Sequence, residues 1–218
     1  MKLREIPLLR KVVYLWRNWR NKKSYNLGHG NSVINQGGIR VNSRIQITGN
    51  GNMVILEKNS MLLNSLVKIT GENNEVRLGA DSYVSGAELW VENNKCVLSI
   101  GKNTFVGHHS HLACTEDGSR LIVGDNGMIS SYVQIRTGDS HSILNMDGQR
   151  INKAQSVHIG NHCWLGEGSK VLKGVTLEGD DIVSTGAIVT KSFEKNVLVG
   201  GAPAKVLKEN VNWTQARI

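Results

Sequence analysis

Residues 159–190 read IGNHCWLGEGSKVLKGVTLEGDDIVSTGAIVT, a stretch in which every sixth residue is aliphatic. The aliphatic positions are Ile159, Leu165, Val171, Leu177, Val183 and Val189. At four of the six repeats the residue four places later is small or β-branched. A period of six matches neither the 3.6-residue period of a helix nor the two-residue period of a strand. The stretch therefore predicts short strands joined by turns.

The same spacing recurs upstream in shorter runs. Clear runs are Ile100, Val106, Leu112; Val123, Ile129, Ile135; and Leu78, Val84, and weaker ones are Val33, Ile39, Ile45 and Ile55, Met61, Val67. Three hexads would close one triangular coil, and successive coils would stack about 4.8 Å apart through parallel strand pairing. Each coil buries its apolar positions against its neighbours. The predicted fold class is all-β, a parallel β-helix solenoid.

The composition is that of an ordinary soluble globular chain. Among 218 residues, 39% are hydrophobic and 20% charged, which excludes collagen and wholesale disorder. Gly (24) and Asn (22) are abundant, and they suit the many tight turns that a solenoid needs. The three cysteines form no CxxC pair, so we expect a reduced, cytoplasmic protein without a disulfide framework.

Positive charge is concentrated at the N-terminus. Residues 1–23 carry eight Lys and Arg against Glu5 alone, whereas the remaining residues are nearly neutral. Leu8, Val12, Trp16 and Trp19 follow the spacing of an amphipathic helix. Such a helix can cap the first coil, or it can contact a polyanion or the inner face of the membrane. The near-neutral remainder argues against a nucleic-acid partner.

Three segments follow along the chain. Residues 1–26 are predicted to form the basic helical segment, residues 27–203 the solenoid, and residues 204–218 a C-terminal cap, either a short helix or an extension. Residues 138–156 are polar, lack the repeat and predict an excursion loop. Residues 113–121 predict a shorter loop. The apolar run Val12–Trp16 is too short for a signal peptide or membrane span.

Several motifs around and after the loop resemble a known family. They are Asp139-Ser140-His141, the residues from Ile159 to Gly166, those from Ser184 to Lys191, and Gly201-Ala202-Pro203-Ala204-Lys205. Their order resembles the left-handed β-helix acetyltransferases that use acetyl-CoA, a branch that includes galactoside, maltose and capsular polysaccharide acetyltransferases. The resemblance is strong over residues 130–208 and implies a left-handed coil, a homotrimer, and acetyl-CoA bound between neighbouring solenoids. We expect no metal, because no Cys or carboxylate cluster in the sequence completes a ligand set.

The resemblance assigns the chemistry to His141. A sugar hydroxyl needs a base that removes its proton as it attacks the thioester, and histidine suits this task near neutral pH. Asp139 or a backbone carbonyl could hold the ring in the required tautomer. Trp164 matches the position that borders the thioester and shapes the acceptor site, although a trimer-interface role is the alternative.

The resemblance also assigns a coenzyme groove. Gly166, Thr185, Gly186 and Ala187 match positions where small residues let the pantetheine arm run close to the backbone. Thr190, Lys191 and Lys205 match the end of the groove, where the adenosine and phosphates bind. We expect Cys163, in an inward slot, to be core rather than catalytic.

The predicted function is O-acetyl transfer from acetyl-CoA to a hydroxyl of a sugar, and the expected acceptor is a capsular or surface polysaccharide. Alternatives are N-acetylation of an amino-sugar nucleotide, a zinc-dependent carbonic-anhydrase-like β-helix, and a non-catalytic scaffold.

The cluster His108, His109 and His111 leaves three interpretations open: a metal site, an acceptor-groove or trimer-interface contact, and a plain turn.

Overall fold

A computed structural model describes residues 24–216 and 218 of the chain. The predicted N-terminal helix, and with it the choice between a cap and a membrane contact, lies almost entirely outside the described residues. The described residues contain no helix with the length and hydropathy of a membrane span.

The described residues form 24 strands in three sheets, which are the faces of a triangular solenoid. Face A consists of β1 (Tyr25–Leu27), β4 (Arg44–Thr48), β7 (Leu66–Thr70), β10 (Glu88–Glu92), β13 (His111–Thr115), β16 (Gln134–Arg136), β19 (Lys170–Val171) and β22 (Ile188–Val189). Face B consists of β2 (Ser32–Asn35), β5 (Met53–Leu56), β8 (Glu75–Leu78), β11 (Val97–Ile100), β14 (Arg120–Val123), β17 (Val157–Ile159) and β20 (Thr176–Leu177).

Face C closes the triangle. It consists of β3 (Ile39–Val41), β6 (Met61–Leu63), β9 (Tyr83–Ser85), β12 (Phe105–Val106), β15 (Met128–Ile129), β18 (Trp164–Leu165), β21 (Ile182–Val183), β23 (Val197–Gly201) and β24 (Ala204–Glu209). The chain visits faces A, B and C in turn, and each strand pairs in parallel with the strand one coil later. The terminal pair β23–β24 is antiparallel. The predicted all-β solenoid is confirmed.

The hexad aliphatics form the core. All six aliphatic residues of the 159–190 repeat are fully buried, and they stack in register, as Leu165 does on Val183. The slot four residues later is also buried at every repeat, from Cys163 to Phe193. Because each coil contributes only a few inward side chains, the core is a narrow column of aliphatics.

Before the loop, the coils are longer than the expected three hexads. Trp164 pairs with Ile182, three hexads later, whereas the partner of Leu66 is Glu88, which lies beyond that distance. The longer coils have longer strands, so counting in steps of six residues no longer identifies the buried positions there. The weak upstream runs are therefore wrong in part, since Met61 pairs with Tyr83 on the outer surface of face C. The loop expected over residues 113–121 is shorter, because residues 113–115 belong to β13 and residues 120–121 to β14.

Asparagine ladders explain the unusual composition. Asn31, Asn52 and Asn74 occupy the same corner of successive coils, and each side-chain oxygen accepts the backbone N–H one coil later. Asn74 continues the ladder to the backbone N–H of Cys96, at 2.8 Å. The amides thus satisfy buried polar groups where the chain turns between faces.

The C-terminal segment is extended rather than helical. After β24 the chain returns along the solenoid, and the Trp213 ring stacks on His162 with centroids 4.4 Å apart. The indole N–H of Trp213 donates to the backbone oxygen of His162 at 2.7 Å. This contact fastens the tail to the corner between faces B and C.

Candidate active site

The loop of residues 137–156 leaves the solenoid at the corner between faces A and B, which we call the A/B edge. The side chain of Asn152, only 6% exposed, organises it. Its amide nitrogen donates to Asp139 Oδ2 at 2.9 Å and to the backbone oxygen of His141 at 2.8 Å. Its oxygen accepts the backbone N–H of Ile143 at 2.7 Å. The backbone around His141 is thereby held in place.

Two ion pairs tie the loop to the solenoid. Arg150 binds Glu116 through both terminal nitrogens, and Lys173 binds Asp139. The hydrogen bond from Arg150 lowers the pKa of Glu116, and the one from Lys173 lowers the pKa of Asp139. Both carboxylates are therefore charged at neutral pH, and the two ion pairs fix the loop to the solenoid.

His141 lies near the base of this loop with an exposed side chain. The carboxylate of Asp139 binds both Lys173 and Asn152 through Oδ2, and it thereby braces the loop backbone that carries His141. Because the ring of His141 is accessible, it can meet a hydroxyl that arrives from solution.

Trp164 lies on face C, in the outward ladder expected from its place in the hexad. It pairs with Met128 and Ile182 of the adjacent coils and is half-buried. Its indole N–H donates to Ser130 Oγ at 3.3 Å, and Trp213 lies at a ring distance of 5.9 Å. The indole is thus held against the solenoid with part of its surface accessible.

The small residues of the expected coenzyme groove lie at the corner between faces C and A, the C/A edge. A Cβ at Gly166 would lie 2.6 Å from the backbone nitrogen of Thr185, so coil stacking itself requires glycine there. Ala187 is buried, whereas Thr185 and Gly186 are accessible. Gly186 has a φ of +70° and open space beside it. Thr185 and Gly186 therefore offer the accessible surface at this edge.

The polar residues of the expected groove lie elsewhere. Thr190 and Lys191 are at the A/B edge, and Lys205 is exposed on β24 of face C. Lys191 borders a cavity of about 430 Å³ that Glu178, Glu194 and Glu209 also line. These carboxylates make that cavity a mixed-charge site rather than a simple phosphate pocket.

The solenoid therefore separates the expected site residues. His141 lies at the A/B edge, and Trp164 lies on face C, which is opposite that edge in a triangular solenoid. The core lies between them, so the two side chains of one chain do not form one site.

The histidine cluster divides in the same way. His109 stacks on Tyr132 with ring centroids 4.9 Å apart, whereas His111 lies on face A with its ring edge toward Trp90 at 6.0 Å. Within residues 24–216 and 218, no group of three or more His, Cys, Asp or Glu is arranged to hold a metal ion.

Cys163 is fully buried, and burial raises the pKa of its thiol to about 12. A protonated, inaccessible thiol is a poor nucleophile. The structure thus places Cys163 in the core.

Sequence reasoning did not single out the groove beside the loop. A cavity of about 230 Å³ on face A is lined by Trp90, His111, Arg136 and Ser140, among others. Trp90, Ala113 and Arg136 lie on three successive coils and stack in register. A search at the period of these longer coils could have found this column, but the hexad period does not.

No family model matches the chain. The polysialic acid O-acetyltransferase OatWY superimposes with a TM-score of 0.84 and 28% identity, covering 89% of this chain and 92% of its own. The polySia-specific acetyltransferase NeuO superimposes with a TM-score of 0.82 and 26% identity, covering 89% of each chain. The fold is therefore that of the left-handed β-helix acetyltransferases.

Sequence relatives give the family. The polysialic acid O-acetyltransferase of Neisseria meningitidis is 32% identical over 187 residues, which are 84% of this chain and 86% of that protein. This chain belongs to the family of polysialic acid O-acetyltransferases. The polysialic acid O-acetyltransferase of Escherichia coli O1:K1 is 30% identical over 136 residues, 62% of this chain and 43% of that protein. The chain thus spans less than half the length of that relative.

Proposed function

We propose that this protein transfers an acetyl group from acetyl-CoA to a hydroxyl of an acidic surface polysaccharide, with His141 as the general base. The observation that carries the proposal is the built loop that presents the exposed His141 at the A/B edge. The polysialic acid O-acetyltransferases among its relatives support the reaction class.

The reaction needs one proton acceptor and no acetyl-enzyme intermediate. His141 removes the proton from the sugar hydroxyl as the oxygen attacks the thioester carbon. The tetrahedral intermediate then collapses, the carbon–sulfur bond breaks, and the protonated imidazole returns its proton to the departing thiolate of CoA. The burial of Cys163 supports direct transfer.

We assign the site to the cleft between two copies of the chain in a homotrimer. The base on the A/B edge of one copy would then meet the accessible part of the Trp164 indole on a second copy. Face C supports such an assembly because its outward ladder is almost entirely apolar. Its members in register are Ile39, Met61, Tyr83, Phe105, Met128, Trp164, Ile182 and Leu198.

In this arrangement acetyl-CoA runs along the C/A edge, where Thr185 and Gly186 are accessible. Further proposed contacts for its adenosine and phosphates are Lys205 and, from the A/B edge of the copy that supplies His141, Thr190 and Lys191. A lysine ammonium can pair with a phosphate as a point charge.

The test uses single variants and their mixtures. His141→Ala should lower acetyl transfer at least 1,000-fold, because the hydroxyl loses its base, while the Kd for acetyl-CoA changes less than threefold. Thiol release from acetyl-CoA with polysialic acid as acceptor measures turnover. His158→Ala is the matched control, since His158 is exposed on face B, and it should keep full activity. Full activity of His141→Ala would refute the assignment of His141 as the general base.

Mixing two variants tests the shared site, and Trp164→Ala should also be inactive by itself if the indole lines the cleft. When His141→Ala and Trp164→Ala chains are unfolded together and refolded, mixed oligomers should contain intact clefts and recover up to about a quarter of the activity. Molar mass from light scattering should correspond to three chains. No recovery from mixed trimers, or a monomeric active enzyme, would refute a cleft shared between copies.

A further inference from the structure

A notch is cut into face A beside the loop. Trp90, Ala113 and Arg136 occupy the same outward position in three successive coils. With strands about 4.8 Å apart, the large residues stand roughly 9.6 Å from each other across the small one. Ala113 forms the floor, and the cavity above it measures about 230 Å³. Its width and volume suit one pyranose ring.

Trp90 forms one wall of the notch, and its indole ring is held by neighbouring side chains. The Nζ atom of Lys68, one coil earlier, lies 3.7 Å from the centroid of the Trp90 ring and covers the face turned away from the notch. His111 contacts the indole at a ring distance of 6.0 Å. These neighbours hold the indole upright, and its other face lines the cavity, where an apolar sugar face can stack on it.

Arg136 forms the opposite wall. Its Nε is buried and makes no hydrogen bond within the described part of the chain. A buried donor without an acceptor costs about 1–3 kcal/mol, so the protein leaves donor capacity of this guanidinium unused. Arg136 as a whole is half-buried and lines the cavity, where an acceptor can reach it. A carboxylate is the acceptor that matches its planar array of donors.

The remaining lining is polar on one side. Thr115, Ser140 and the carboxylate of Glu92 border the cavity, and Glu88 lies next to His111 in the neighbouring ladder. Hydroxyl and carboxylate groups can bind sugar hydroxyls. The negative charge of Glu92 also orients an acidic ligand, because it directs the ligand's carboxylate toward Arg136.

We infer that this notch is a subsite for one carboxylate-bearing sugar of the acceptor chain, with Trp90 stacking on the ring and Arg136 binding the carboxylate. The inference rests on the proposed function for its connection to catalysis. Gly138 and Ser140 line the notch and closely precede His141 in the chain. A sugar held there places its neighbour in the polymer beside the base.

The experiment measures glycan binding directly, by calorimetry on the full chain without acetyl-CoA. The probes are a short polysialic acid oligomer and the same oligomer with its carboxylates converted to methyl esters. Trp90→Ala and Arg136→Gln should each weaken binding of the acidic oligomer at least tenfold. Arg44→Gln, which alters an exposed arginine on the same face, is the matched control and should bind normally.

The ester and two conservative variants test the chemistry. The native chain should bind the ester at least tenfold more weakly than the acid, and Arg136→Gln should remove most of this difference. Trp90→Phe should keep part of the stacking, and Arg136→Lys should keep the charge but bind less tightly than the native chain. These variants also serve if the larger changes unfold the protein.

The outcomes separate the subsite from the reaction. Unchanged affinity in folded Trp90→Ala and Arg136→Gln, or equal affinity for acid and ester, would overturn the subsite even if acetyl transfer occurs. Tenfold weaker binding in both variants would establish it even if no acetyl transfer is found. In an active enzyme, the same variants should raise the KM for the glycan and leave the KM for acetyl-CoA within twofold.

Discussion

At the scale of single residues, Asn152 acts on His141 through the backbone. Its buried amide joins Asp139, His141, Ile143 and Arg150, which lie on both sides of the loop. A small misplacement of a catalytic group can cost about 100-fold in rate. Under the proposed mechanism Asn152 is a positioning residue, and its contribution should appear in kcat.

We predict that Asn152→Ala lowers kcat about 10- to 100-fold while the KM for acetyl-CoA stays within twofold. Asn152→Asp should be as slow, because it replaces the donor facing Asp139 with a negative charge. Steady-state kinetics over a range of concentrations of both substrates measures kcat and KM separately. Asn145→Ala is the control, since Asn145 braces the loop tip through Asp147 and Gln149. Equal losses in the two alanine variants would contradict a specific role for Asn152.

The role of a single residue could be predicted only where it depends on residues that are close in the sequence. The burial of the hexad aliphatics and of Cys163 follows from the repeat alone. The engagement of Asp139 by Lys173 does not, because the two residues are distant in the chain and only the coil brings them together. Arg136 was not identified for the same reason, since Trp90, the opposite wall of the notch, lies two coils away.

At the scale of elements, the loop depends on two charged pairs. Each carboxylate has a folded pKa below its unfolded value, which is about 3.9 for Asp and about 4.3 for Glu. Such a group stabilises the folded state above its unfolded pKa, and this stabilisation is lost as the pH falls through the folded pKa. The pairs should therefore hold the loop at neutral pH and release it in acid.

We predict that hydrogen-exchange protection of residues 139–154, corrected for the intrinsic rate, is constant from pH 8 to about 5 and falls below about pH 4. The solenoid strands should keep their protection over the same range. Glu116→Gln should lower loop protection already at pH 7, whereas Asp147→Asn, at an exposed loop position, should not. Loop protection that is unchanged at pH 3 would show that the ion pairs do not hold it.

Element boundaries followed the repeat where each coil spans three hexads and departed from it where the coils are longer. Extra residues lengthen the strands of the early coils, and the alternation within a strand then replaces the hexad as the local pattern. This is why the hexad placed Met61 in the core, although it lies on the outer surface. The terminal strand β24 pairs with β23 and covers part of the last coil.

At the scale of the whole molecule, positive charge is concentrated at one end of the chain. The basic residues 1–23 lie outside the described structure, and their function stays a proposal: contact with a polyanion or an anionic membrane surface, which would place the enzyme at the inner face of the membrane. Several lysines and arginines near an anionic surface contribute about 1 kcal/mol each.

We predict that removing residues 1–23 lowers the partition onto mixed phosphatidylserine and phosphatidylcholine vesicles at least tenfold at low ionic strength, where charges are weakly screened. Partition onto vesicles of phosphatidylcholine alone should be weak with or without the segment. Co-sedimentation measures both. If the shortened protein becomes insoluble or loses its unfolding transition while its partition is unchanged, the segment is a cap on the first coil.

The amino-acid sequence alone determined the solenoid and the column of aliphatics, because a short period is a property of neighbouring residues. His141 as the base stays a prediction from the family resemblance. Only the tertiary structure decided which of these residues share an edge. Winding places residues one coil apart side by side, which builds the notch of Trp90, Ala113 and Arg136. It also puts the core between His141 and Trp164, which is why we propose a site shared between two copies of the chain.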